Sequence, residues 1–293
     1  MKIYSSYLPI ERYEKEIGCL EKYKNKSITI FNDYVPKSKE EFSDVNLLIL
    51  NEPNELFGLH TFAKNNYQAF SAVLSWDEDM LYDISNYVLF PHGETNLDLE
   101  YINTFETNPE REFGVTFLSG ILEMLEGHKL RQRILAKGNE ITISNNWWKT
   151  LDDFDHTRGQ RPGYFETKIG PNGNPIEGDG KKQVWNTHKM FHVAVENSQH
   201  KHYYTDKILD CFGTKTLPIY WGAPNIGMWY DSRGVIAFNN EDELVEIINK
   251  LTPDDYYSRL PYIEYNYKLV KENGFFFRRV EMFLDKLIEF NNL

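Results

Sequence analysis

The chain has 293 residues, enough for one large domain or two smaller ones, and its 41% hydrophobic and 15% aromatic content supports a packed core rather than disorder. A formal net charge of −12 argues against a nucleic-acid binder, which needs a basic face to neutralise phosphates, although a few local cations suffice for a small phosphate ligand. Two cysteines, Cys19 and Cys211, imply no disulfide framework and make a reducing cytosol the default, and neither CxxC nor HExxH spacing is present to suggest a metal.

The amino-terminal MKIYSSYLPI lacks the apolar stretch of a signal peptide, and no run approaches the roughly 20 apolar residues that cross a bilayer. A cytoplasmic location is therefore expected, with a peripheral position at the inner face of a membrane compatible with it. Short apolar runs then alternate with helical stretches, the pattern of an α/β protein. Val45–Leu50 reads as a buried strand that ends in the polar turn Asn51-Glu52-Pro53-Asn54-Glu55. Phe70–Trp76 and Tyr87–Phe90 are further strand candidates, so residues 1–110 read as one small sheet domain.

A second series opens at Phe113–Leu118. His128–Lys137 is expected to be helical, closed by Gly138 as a left-handed cap, with a strand at Glu140–Ser144. Residues 155–183 are rich in glycine and proline and carry Arg158, Arg161, Lys168, Lys181 and Lys182, which suit either a lid or a solvated loop. Met190–Val195, Leu217–Trp221 and Val235–Phe238 read as strands, and Asp206–Phe212 and Glu241–Leu251 as helices. Thr252-Pro253-Asp254-Asp255 has the order of a helix start: cap, proline at the first position, then acids at the positive end of the dipole. Residues 111–266 thus form a second domain, and 267–293 a helical tail. His188 and His192, four residues apart, straddle a helix-to-strand boundary and are not read as ligands.

Two open α/β halves in tandem would face each other across a cleft, and ligands of such sheets sit beyond the carboxyl ends of the strands. Both polar clusters, Asn51–Glu55 and Glu196–Lys207, follow strand ends. Lys207 opens a helix and can meet an anion together with the free N–H groups there, Asp206 suits sugar hydroxyls, Asn197 both donates and accepts, and Tyr203 offers an apolar face. Together they describe a pocket for a sugar joined to phosphate.

Val195-Glu196-Asn197, Tyr203-Tyr204-Thr205-Asp206-Lys207-Ile208 and Pro218-Ile219-Tyr220-Trp221-Gly222-Ala223-Pro224-Asn225 occur in that order, and the segment resembles the donor-binding motif of the α1,3-fucosyltransferases, glycosyltransferase family 10. Upstream, Gly114–Phe117 and His128-Lys129-Leu130-Arg131 resemble the family's strand and loop with a donor-contacting arginine, whereas residues 1–110 match it weakly. The resemblance implies a GT-B architecture, two Rossmann-like domains facing a cleft. It also implies an inverting transfer from GDP-fucose to a glycan or glycolipid acceptor, with no cofactor and no obligatory metal.

By position in the motif, Arg131, Glu196, Asn197, Tyr203, Thr205, Asp206 and Lys207 would bind the donor, and Glu52 would be the general base. Plainer roles compete with each. Lys207 and Asp206 suit any helix start, Arg131 has Lys129 and Arg133 as neighbours, and Glu52 competes with Glu55, Asp77 and Glu94. Glu196 also suits an orienting role, Asn197 an Asx-turn, and Gly222 a close backbone approach. Asp206 departs from the family, which has Glu there, so another nucleotide hexose is an alternative donor. A non-catalytic nucleotide-sugar binding protein is a further alternative, and a structural component of a glycan assembly complex a third.

Overall fold

The computed structural model describes residues 1–6, 18–107, 109–119, 122–142, 147–150, 184–185 and 187–291. The expectations for 155–183 and for 143–144 lie outside these residues. The chain divides into two compact units, one of Met1–Glu94, His200–Tyr204 and Asn273–Leu293, the other of Thr95–Gln199 and Thr205–Glu272. The sequence reading put its boundaries after 110 and after 266. The structure places the first exchange at Glu94/Thr95 and returns the last helix to the first unit.

The first unit is built on a parallel sheet of β1 (Lys2–Ser5), β2 (Ile28–Asn32), β3 (Val45–Leu50), β4 (Ala72–Ser75) and β5 (Tyr87–Leu89), in that spatial order. β1 and β2 were not anticipated, because four or five residues give too little periodicity to stand out. The unbroken run Val45-Asn46-Leu47-Leu48-Ile49-Leu50 is that of a strand buried on both faces. Its period of two sends Leu47 and Ile49 into one core with Ile28, Ile30 and Leu74, and Leu48 and Leu50 into another with Phe31 and Val73. The short helix α1 (Asn54–Phe57) follows β3, and α2 (Leu59–Asn66) supplies Leu59 and Ala63 to the second core.

The second unit carries the parallel sheet β6 (Glu112–Ser119), β7 (Trp147–Thr150), β8 (Lys189–Val195), β9 (Leu217–Trp221) and β10 (Ile236–Ala237), in the order β10-β9-β8-β6-β7. Counted along the chain this is 2-1-3-4-5, so the direction of winding reverses between β6 and β8. Its helices include α3 (Leu99–Asn103), α4 (Glu126–Ala136), α5 (Asp206–Gly213), α6 (Glu241–Lys250), α7 (Pro253–Tyr257) and α8 (Leu260–Asn273). α7 starts as expected, with the cap residue Thr252 and Asp255 forming a reciprocal capping box across Pro253 at the first helical position.

Two local expectations are corrected. Gly138 does not close α4 in the left-handed region; it opens a 3-10 turn, Gly138–Glu140, behind Lys137, and its φ is not positive. Glu140 lies in that turn rather than in a strand, and the strand of this region is β7. Helix α9 (Phe276–Asn291) then covers the first unit's sheet with Phe276, Phe277, Val280 and Leu284, joined by Leu20 and Tyr23. The expected α/β class with two Rossmann-like domains therefore holds, each unit being a parallel sheet with helical connections.

Candidate active site

In the second unit, the strand order reverses where the carboxyl ends of β6 and β8 lie side by side. The connections leaving these strands go to opposite sides, which opens a crevice at that point. A cavity of about 250 Å³ occupies the place, with His128, Arg131, His192, Asn197, Asp206, Lys207 and Asp210 among its polar lining. α4 delivers the first two from one side, β8 delivers His192, and the turn after β8 with the first turns of α5 delivers the rest.

α4 can approach the β8 turn only because residue 127 is glycine. The Gly127 N–H donates to the carbonyl of Asn197 at 3.0 Å, and a Cβ there would lie 1.8 Å from the carbonyl oxygen of Glu196. Arg131, one turn on, is buried. Its Nε and Nη2 donate to the carbonyl oxygen of Val195 at 3.1 and 2.5 Å, and Nη2 also donates to Asn197 Oδ1 at 2.9 Å. The competing cations are turned elsewhere: Lys129 is exposed, and Arg133 pairs with Glu126 at 3.0 Å and Glu241 at 3.1 Å. His128 Nδ1 accepts from the Leu125 N–H at 3.1 Å. Burial pushes its imidazole down to about 4, with the charges of Arg131 and Lys207 adding to the effect, so it is neutral at pH 7.

Glu196 is fully buried and holds the β8 turn to the start of α5. It accepts from the Thr205 N–H at 2.9 Å, the Thr205 hydroxyl at 2.6 Å and the Tyr220 hydroxyl at 3.4 Å. Burial raises its carboxyl, against the opposing pull of Lys207 at 3.8 Å and of the Thr205 hydrogen bonds. It lies behind the cavity wall, which matches the orienting role weighed for it. Gly222 beside it admits no side chain, since a Cβ would lie 2.2 Å from the Tyr220 hydroxyl and 2.5 Å from Glu196 Cγ. Thr205 caps α5 and accepts from the Lys207 ammonium at 3.0 Å, while that ammonium lies 3.4 Å from Asp206. Asp206 also accepts from the Asn96 amide, and Asp210 accepts from the Thr95 hydroxyl at 2.7 Å and the Asn96 N–H at 2.9 Å. His192, also on the lining, is pushed down to about 3 by burial, so with both imidazoles neutral the cationic groups lining the cavity among the described residues are Arg131 and Lys207.

Glu52 and Tyr203 belong to the first unit, where the Tyr203 hydroxyl donates to Glu52 Oε2 at 3.4 Å. The turn that carries Glu52 is gripped along its backbone. Asp33, in the left-handed region at φ 46°, accepts from the N–H groups of Asn51 (2.8 Å) and Glu52 (3.3 Å). Asp tolerates that conformation better than most residues. Trp76 Nε1 donates to the carbonyl of Asn51 at 2.8 Å, and His60 Nε2 lies 3.1 Å from the carbonyl of Glu52. His60 Nδ1 lies 2.9 Å from Asp77, whose carboxyl this contact holds below the usual range. Burial pushes the Asp33 carboxyl up to about 7, the two turn N–H groups opposing and the Glu52 charge adding. Of the rivals to Glu52, Glu55 is exposed and Asp77 is tied to His60.

Thus Arg131, Asn197, Asp206 and Lys207 line one cavity, Glu196 and Thr205 support the β8 turn and the start of α5, and Tyr203 lies with Glu52. Sequence reasoning missed Gly127, Asn96, Asp33 and His60, and gave His128 no role of its own. Gly127 abuts the recognised His128–Arg131 segment, but nothing local announces the other three: Asp33 and Asn96 act across 18 residues or more in chain separation, and His60 lies eight residues from Glu52.

Residues 168–273 match the model of the glycosyltransferase family 10 (fucosyltransferase) C-terminal region. The chain is 34% identical over 64 residues to the α-(1,3)-fucosyltransferase FucT of Helicobacter pylori, a match spanning 21% of this chain and 13% of that relative's length. The crystal structure of an α1,3-fucosyltransferase with GDP-fucose superposes with a TM-score of 0.54 at 14% identity, covering 99% of this chain and 90% of the other. A glycosyltransferase from Rickettsia africae ESF-5 superposes with a TM-score of 0.56 at 13% identity, covering 97% and 82%. The resemblance to family 10 holds, and the fold is of the GT-B type. Among the described residues no helix is long and apolar enough to cross a membrane.

Proposed function

We propose that the chain is an inverting glycosyltransferase that moves fucose from GDP-fucose to a hydroxyl of a glycan or glycolipid acceptor without an obligatory metal. The observation that carries this reading is that Arg131 and Lys207 both line the cavity at the β6/β8 reversal. A sugar diphosphate needs a concave, partly apolar site with a few fixed cations, and strand-order reversals are where α/β sheets provide one. The sequence match over 168–273 and the solved relative with GDP-fucose support the donor class.

In this reading the acceptor oxygen attacks the anomeric carbon from the face opposite the diphosphate. The bond from that carbon to the β-phosphate oxygen breaks, and its electron pair leaves with GDP. The acceptor proton passes to the Glu52 carboxylate. Negative charge grows on the leaving diphosphate, where the Arg131 guanidinium and the Lys207 ammonium oppose it. Arg131 is locked to the Val195 carbonyl and Asn197, so its charge is in place before the reaction and little reorganisation is needed. Asn197 orients Arg131, and Asp206 takes sugar hydroxyls. The cytoplasmic location, with peripheral membrane contact for a glycolipid acceptor, belongs to the same proposal.

One observation favours a second donor. Asp206 is one methylene shorter than the family's Glu and is engaged by Asn96, so the sugar end of the site differs from the family pattern. Another GDP- or UDP-hexose is then the donor on the same fold. The test is a panel of nucleotide sugars screened by thermal shift, followed by nucleotide release with water and with a set of glycans, each with and without EDTA. A ligand that binds the native state raises Tm by mass action. GDP-fucose should give the largest shift and sustain GDP release in EDTA. Preference for another sugar selects the second reading, binding without release makes the chain a nucleotide-sugar binding protein, and activity lost in EDTA and restored by manganese defeats the two-cation mechanism.

A further inference from the structure

We propose that His60, backed by Asp77, is a positioning residue that fixes the Glu52 peptide and so aims the Glu52 carboxylate; this rests on the reading of Glu52 as the base. The polar groups flanking Glu52 are held by side chains from separate segments. Asp33, following β2, takes the N–H groups of Asn51 and Glu52. Trp76, following β4, takes the Asn51 carbonyl, and His60 on α2 takes the Glu52 carbonyl. The peptide bonds on both sides of the Glu52 Cα are therefore pinned, and the Tyr203 hydroxyl meets the carboxylate itself.

A turn on the surface can satisfy its carbonyls with water, so a buried histidine is a costly partner unless the geometry matters. His60 is 3% exposed, with one ring nitrogen on the Glu52 carbonyl and the other on Asp77, and its ring packs 5.2 Å from that of Trp76. Both ring nitrogens are taken up by these two contacts, so His60 acts on the turn rather than as a base in its own right. Asp77 is itself held, accepting from the Asp79 N–H at 3.2 Å, so the ring is oriented by a carboxylate that cannot drift. The order is Asp77, His60, the Glu52 peptide, then the carboxylate. Each link restricts the next, as the supporting shell of a catalytic group must.

The test uses the full chain with GDP-fucose, reading GDP release to water and to the panel glycans, at temperatures well below the Tm of every variant. The variants are Glu52→Gln, His60→Ala, His60→Gln and the double variant Glu52→Gln/His60→Ala. Misplacing a reacting group by about 1 Å costs on the order of 10²-fold, so His60→Ala should lower kcat by about 10- to 100-fold. The KM for GDP-fucose should stay where it is, because donor contacts are untouched. Gln can donate to the Glu52 carbonyl from the position of Nε2, so His60→Gln should recover most of the loss. In the Glu52→Gln background, His60→Ala should cost nothing more, since a residue acting through Glu52 has no work left once the carboxylate is gone. Glu52→Gln turning over like the parent chain overturns the base assignment and the proposal with it. Glu52→Gln slow but His60→Ala fast, or equally harmful with and without Glu52, overturns the positioning role alone.

Discussion

The two sheets make their polar sites by different means. In the second unit the strand order reverses between β6 and β8, and the reversal itself leaves a crevice that α4 and α5 line with Arg131, Asn197, Asp206 and Lys207. In the first unit the described strands run in the simple order β1-β2-β3-β4-β5, with no reversal among them, and the Glu52 turn is shaped by side chains that grip its backbone. One site is a consequence of topology, the other of buried polar contacts. The sequential order has a second effect. Residues from the connections after β2, β3 and β4, among them Phe42, Leu59 and Met80, build one core, so the opposite face needs a layer from elsewhere. α9 provides it from the end of the chain.

The contrast can be broken at several points. If α9 is a true layer of the first unit, Phe276→Ala should cost about 3–5 kcal/mol, the usual range for a buried phenylalanine. Denaturant unfolding measures it, and a loss below about 1 kcal/mol would show that the helix is only a surface appendage.

Asp33→Asn tests the side-chain grip through pH. In the unfolded chain this carboxyl ionises near 3.8, in the fold only at about 7. Between those values the native state keeps a proton that the unfolded chain has released. The stability contributed by protonated Asp33 is therefore fully present below the lower value and is lost as pH rises through the upper one. An Asn oxygen can accept the same N–H bonds without ionising. Relative to the parent, Asp33→Asn should gain stability from pH 4 to pH 8, by up to roughly 4 kcal/mol. A difference that stays flat across that range would sink the assignment.

On the topological side, Arg131→Ala and Lys207→Ala should each lower turnover by about 10²-fold or more, the scale of losing one preorganised electrostatic donor. Rates within a few-fold of the parent would remove those cations from the mechanism. The smallest expected effect is at the support behind them. Thr205→Ala removes a helix cap and one of the partners of buried Glu196, costing about 1–3 kcal/mol in thermal or denaturant unfolding. Donor affinity should fall with it, because Lys207 loses its hydroxyl partner.

Much of the second unit was legible in the sequence because its signals are local. Strands β6, β8 and β9 are apolar runs bounded by polar turns, and the cap of α7 is written in four consecutive residues. The Glu196–Lys207 motif places its groups by short chain separations. The first unit was less legible. β1 and β2 are too short to show a period, and Gly138 looked like a helix cap although the chain turns there without a positive φ.

The amino-acid order alone determined the α/β class, the strand ends at which the polar clusters sit, and the Glu196–Lys207 motif that resembles family 10, since each depends on spacing within a few residues. Tertiary structure decided which of three neighbouring cations faces the cavity, that Glu196 supports rather than lines it, and that Tyr203 stands beside Glu52. It also decided that Asp33 and His60 hold the Glu52 turn. Those outcomes depend on strand order and on contacts between segments distant in the chain, and no local pattern of residues encodes which distant backbone group a buried side chain will meet.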